Sequence, residues 1–156
     1  MMIRLFTILL LLCVIETGLA QYNPDKVNKK ASALYEQAIE KARDDNFPEG
    51  IRLLKEAIKI DPKFADAYLS IAGMYGEIKK YDSAILFYEN ARAIDTLYFK
   101  DYNLPYSINI AGKGEFEKAI TALNDFLTIT NLNEQSVKAA TYRKRSYQFA
   151  IDYAKE

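Results

Sequence analysis

The sequence predicts an all-α fold, a solenoid of three helix pairs stacked in series with a further helix closing the C-terminal end. Phe47, Tyr81 and Phe116 each open a segment that continues with Gly50-Ile51, Ala84-Ile85 or Ala119-Ile120, then Leu54, Tyr88 or Leu123, then Ile60, Ile94 or Ile129. These registers lie 34 and 35 residues apart. The apolar spacing inside each segment is helical, and a fixed period of this length marks units that bury their apolar faces only against their neighbours.

A second register lies upstream of each segment, in the small residues Ala38, Ala72 and Ser107, followed three residues later by Lys41, Tyr75 and Ile110. Each unit is therefore two helices. The turn between them has constant length, so the extra residue of the third unit falls between Thr96 and Ser107. Pro105 lies in that interval, and proline lacks an N–H and clashes one turn back inside a helix. A kink, or a longer loop with a late helix start, is expected there. Gly73 and Gly76 fall inside a helix, where each costs up to about 1 kcal/mol relative to alanine. Close helix packing or close approach of a ligand backbone would each account for them.

This pattern resembles the tetratricopeptide repeat. The first unit carries Ala38, Phe47, Ala57 and Asp61-Pro62, and the second carries Ala72, Tyr75, Tyr81, Ala84, Ala91 and Asp95, with Thr96 in place of proline. The third keeps Ser107, Phe116, Ala119 and Leu123, with Phe126 at a small-residue place and Asn131 where proline would fall. The resemblance covers residues 31 to 131 and implies a right-handed α-solenoid.

The N-terminus reads differently. Met1 to Ala20 carries one cation, Arg4, then an apolar run from Leu5 to Ile15, then Gly18-Leu19-Ala20, which is the form of a cleaved secretory leader with Gln21 as the mature terminus. A permanent anchor wants about 18 or more apolar residues, and Glu16 closes this run well short of that. Lipidation at Cys13 would want a small residue before it, and Leu12 is not small. The expected organisation is a leader over 1–20, an extension of the first helix over 21–30, repeats over 31–64, 65–98 and 99–132, and a capping helix over 133–156.

Composition narrows the chemistry. The chain has no histidine, its one cysteine lies in the leader, and its charges balance at net zero. The common general base, metal ligand and thiol nucleophile are thus missing from the mature chain. Asp44-Asp45 lies near a helix end, where capping or solvation explains it, and Gly112-Lys113-Gly114 fills a turn between helices with no strand before it, unlike a phosphate loop. No enzyme, cofactor or metal is expected, and no basic face suggests nucleic acid.

Beyond the third repeat, Ala139, Tyr142, Ser146, Phe149 and Tyr153 recur at helical spacing and are expected to cap the last repeat. Arg143-Lys144-Arg145 beside them is read as a solvated face or a contact for an anionic surface. With the leader and three repeats, the segment Ser-Tyr-Gln-Phe-Ala-Ile-Asp-Tyr-Ala over 146–154 resembles the N-terminal region of Bacteroidetes outer-membrane-associated proteins. There such repeats precede a TolB-like propeller and an OmpA-like domain, and some members serve type IX secretion. That likeness implies an envelope location, in the periplasm or on the periplasmic face of the outer membrane. This sequence contains neither of the later domains, so peptidoglycan binding does not carry over.

The repeat resemblance implies that first helices line a concave groove. Its expected lining is Ser32, Tyr35, Ile39 and Arg43, then Asp66, Leu69, Gly73 and Glu77, then Asp101, Leu104, Ile108 and Gly112. Co-chaperone members grip a peptide carboxylate with Lys and Asn on these helices. The matching places here hold Tyr35, Ile39, Leu69 and Gly73, which argues against a reader of chaperone tails. Tyr68, Tyr75, Tyr81 and Tyr88 fall on core places, while Tyr35, Tyr98 and Tyr102 are expected as surface aromatics of the kind enriched in interfaces. The expected partner is a protein or peptide of the cell envelope; the other reading is a structural spacer or self-associating module.

Overall fold

Helices account for nearly all of the path from Lys29 to Tyr153. The computed structural model describes residues 21–156, so the leader and Cys13 lie outside the described residues. Three pairs follow in order: α1 (Lys29–Arg43) with α2 (Phe47–Ile60), α3 (Ala65–Glu77) with α4 (Tyr81–Ile94), and α6 (Asn103–Gly112) with α7 (Phe116–Phe126), with a short α5 (Thr96–Phe99) before the third pair and α8 (Glu134–Tyr153) after it.

Local chemistry sets these boundaries. Asn28 caps α1 by accepting the N–H of Lys30 at 2.9 Å, and Asn46 caps α2 by accepting that of Glu49, with Pro48 in the first turn, where no N–H is required. The turns inside the pairs share one geometry. Asp45, Lys79 and Gly114 take positive φ of 55°, 57° and 82°. Beside them the N–H groups of Asn46, Lys80 and Glu115 reach back to the carbonyls of Lys41, Tyr75 and Ile110. This closes each first helix with a left-handed residue and a reach-back bond, and it explains the constant turn length.

Principal packing runs in series, α1 on α2, α2 on α3, α3 on α4, α4 on α6, α6 on α7 and α7 on α8. Ala38, Ala72 and Ser107, the small residues of the first helices, are wholly buried. Leu54, Ile71 and Leu123 are also fully buried, each contributing about 1.5–3 kcal/mol of apolar burial. The core falls into three clusters along the stack: one around Leu54 and Ile71, one around Tyr88, Phe99 and Tyr106, and one around Leu123, Phe126 and Ala140.

The third unit is irregular where its extra residue lies. A 3-10 turn over Lys100–Tyr102 separates α5 from α6, whose late start places Pro105 in its first turn, where proline's missing N–H costs no intrahelical bond. Two expectations need correction. The extension over 21–30 is not continuous helix: a 3-10 turn over Pro24–Lys26 folds the chain back before α1 begins. The cap of the last repeat uses the other side of α8. Ala140 and Ile151 are buried and Tyr147 packs on Phe116, while Tyr142, Phe149 and Tyr153 of the expected stripe are 72%, 71% and 71% exposed. Both stripes have helical spacing; Ala140, Tyr147 and Ile151 face inward, and the rings of Tyr142, Phe149 and Tyr153 are left outside.

Candidate protein-binding groove

Residues at one repeat position bring the groove register together. Ile39, Gly73 and Ile108 stand at equivalent places on α1, α3 and α6. Ile39 is half-buried, Ile108 is 40% exposed, and a Cβ built on Gly73 would meet nothing within 4 Å. Packing therefore does not explain Gly73. It does explain Gly76, whose added Cβ would lie 2.8 Å from Asn109 Oδ1 and which leaves room for that side chain of α6 against α3. Asn109 Nδ2 donates to the Pro105 carbonyl at 2.9 Å, and its Oδ1 is buried without a partner.

Other expected lining residues divide. Leu69 is 6% exposed and belongs to the core with Ala72, Tyr88 and Tyr106, so it is no groove contact. Leu104 turns instead toward Leu123, Phe126 and Ala140. A Cβ built on Gly112 would lie 2.7 Å from the Tyr81 ring, so this glycine serves packing. Arg43, Glu77 and Asp101 are exposed, with Arg43 paired to Glu40, and Ser32 is half-buried. Tyr35 is half-buried against Phe64, ring centroids 5.1 Å apart, and its oxygen accepts from Ser70 Oγ at 3.2 Å.

Asp66, at the start of α3, organises the groove end where the first helices begin. The Tyr22 and Tyr98 hydroxyls both donate to its carboxylate, the former at 2.8 Å. The Tyr22 and Tyr98 rings meet edge to face at 4.8 Å, and Tyr102 lies 5.9 Å beyond Tyr98. Burial, reinforced by the bond to Asp66, pushes the Tyr22 and Tyr98 phenols well above their ordinary range; burial also raises Tyr102. They therefore remain protonated hydrogen-bond donors at neutral pH. The N–H groups of Tyr98, Tyr22 and Leu97 aimed at Asp95 hold its carboxyl below the usual value, against the opposing effect of burial.

Sequence reasoning selected Tyr35, Tyr98 and Tyr102 and missed Tyr22. Its contacts to Asp66 and Asp95 span 44 and 73 residues, beyond any local pattern. Among the described residues no three His, Cys, Asp or Glu side chains group to hold a metal ion, and no helix is long and apolar enough to cross a membrane. The arrangement leaves the surface over Gly73 and Ile108 open, beside tyrosines whose hydroxyls are committed to Asp66.

No protein-family model matches the chain. It is 31% identical over 121 residues to Small glutamine-rich tetratricopeptide repeat-containing protein 2 of Saccharomyces cerevisiae, covering 78% of this chain and 33% of the relative. The chain thus spans about a third of the length of the curated relative it matches. The structure is similar to the first TPR of Spaghetti (RPAP3) bound to the HSP90 peptide SRMEEVD, with a TM-score of 0.70 at 20% identity over 79% of this chain and 96% of that one. It is also similar to the Yersinia enterocolitica type III secretion chaperone SycD in complex with a peptide of the translocator YopD, with a TM-score of 0.67 at 19% identity over 83% and 97%. Serial helix pairs, small residues at their crossings and these likenesses lead to one conclusion: the chain folds as a tetratricopeptide-repeat solenoid.

Proposed function

We propose that this chain is a non-enzymatic protein-interaction module that holds a segment of a partner protein against its first helices. The observation that carries the reading is the open place at Gly73, with exposed Ile108 at the equivalent place of the next repeat, where a helical glycine sits with no packing need for it. Two structural relatives were solved with peptides bound, one from HSP90 and one from YopD, which supports a peptide as the ligand class. The places that would carry a Lys and Asn carboxylate clamp hold Tyr35, Ile39, Leu69 and Gly73, so recognition here rests on apolar and tyrosine contacts rather than on a chain terminus.

The leader-like residues 1–20 support export, and the tail segment 146–154 supports an envelope setting of the OmpA-associated or type IX secretion kind. Capture of partners from an envelope fraction by the native chain and by Ile108→Glu, followed by mass spectrometry, tests the reading. The native chain should enrich partners that Ile108→Glu loses; equal enrichment refutes the groove. A second reading, self-association, is favoured by the exposed face of Tyr142, Phe149 and Tyr153 on α8. Light scattering over a concentration series separates the two, since a concentration-independent monomer excludes self-assembly.

A further inference from the structure

The residues before α1 lie across the ends of the repeats in an unusual way. Asp61 and Asp95, which end α2 and α4 at equivalent repeat positions, each divide their carboxylate. One oxygen serves the local turn: Asp61 Oδ1 accepts from Lys63 N–H at 3.2 Å, and Asp95 Oδ1 accepts from Leu97 and Tyr98 N–H at 2.9 Å each. The other oxygen accepts a main-chain N–H from the N-terminal segment, Asp61 from Asn28 at 3.0 Å and Asp95 from Tyr22 at 2.8 Å. Tyr22 then inserts its ring beside Tyr98 and its hydroxyl onto Asp66, a groove residue.

This segment is held differently from the rest of the molecule. Tyr22 and Val27 are half-buried, and the other residues of 21–28 are exposed. A few hydrogen bonds, one aromatic contact and the packing of Tyr22 and Val27 against the rim of the first core cluster secure it, and none of its residues is fully buried, which places it toward the low-stability end of the structure. It also has the form of a bound peptide: backbone donors matched to carboxylates at repeat intervals, and one aromatic side chain laid edge to face on Tyr98 with its hydroxyl on Asp66.

Resting on the groove reading above, we propose that residues 21–28 are a tethered internal ligand that occupies the Asp66–Tyr98 end of the groove and is displaced by a partner segment of the same chemistry, one presenting a tyrosine and free main-chain N–H groups about a turn to either side of a bend. The tether raises the local concentration of the internal copy to the millimolar range expected of a short linker. A partner therefore has to outcompete it, and removing the internal tyrosine should open the site.

The test uses the full chain and a synthetic peptide of residues 21–28, Gln-Tyr-Asn-Pro-Asp-Lys-Val-Asn, titrated to millimolar concentration and followed by NMR at the Asp66, Asp95 and Tyr98 amides. The Tyr22→Ala chain should bind the peptide at least ~10-fold more tightly than the native chain, and adding Asp66→Asn should abolish the response. Tyr22 lies outside the helices, so an unchanged far-UV circular dichroism spectrum confirms that the variants are folded. Equal responses from native and Tyr22→Ala chains, or none from Tyr22→Ala, overturn the proposal. Either result would leave the groove itself standing, because Ile108→Glu tests that surface independently of Tyr22.

Discussion

Gly73 and Gly76 lie one turn apart on α3 under opposite constraints. Alanine at Gly73 meets open space, so Gly73→Ala should stabilise the fold by about 0.5–1 kcal/mol through helix propensity alone. At Gly76 the new methyl meets Asn109 at 2.8 Å, and Gly76→Ala should destabilise by roughly 1–3 kcal/mol through overpacking. Urea denaturation followed by circular dichroism checks both signs. The turn residue Lys79, at a φ of 57°, gives a third case. Lys79→Gly relieves a left-handed conformation that costs a side-chain-bearing residue about 1 kcal/mol, and the same denaturation curves should shift to higher urea. From sequence the two helical glycines looked alike; only the position of Asn109 across the α3–α6 contact separates them.

Among the elements, the N-terminal segment and α8 carry the sharpest expectations. The folded Asp95 carboxyl titrates below its ordinary value of 3.8, so its contribution is present above that value and is lost as the pH falls below it through the folded value. Hydrogen exchange at the Tyr22 amide should accordingly lose protection below about pH 3.8 relative to the α3 and α4 amides; protection unchanged through that range would contradict the role given to Asp95. On α8, Ile151→Ala should cost about 2–4 kcal/mol, while Phe149→Ser on the exposed face should stay within about 0.5 kcal/mol. The helix was legible in the sequence but its inward face was not. Two stripes share the period, and the larger aromatic set drew the assignment outward while Ala140, Tyr147 and Ile151 cover α7. The first-helix extension failed for a related reason: Asn23 and Pro24 favour a turn, and what holds that turn in place lies in distant repeats.

At the scale of the whole molecule, the period of 34 and 35 residues was enough to read the stack, because small residues at helix crossings and aromatics at the turns recur in each unit. The groove was only partly legible. Ile39, Gly73 and Ile108 follow directly from the register, but one repeat position can face either a neighbouring helix or the open side, and the half-turn that buries Leu69 and turns Leu104 toward the third cluster is set by how the pairs stack. Partner recognition across the first helices is the central claim, and hydrogen exchange on the chain with a captured partner bound tests it most directly. The account predicts slowed exchange over 65–77 and 103–112, together with faster exchange at 21–28 as the internal segment leaves. Protection confined to 134–153, with the first helices unchanged, would contradict it.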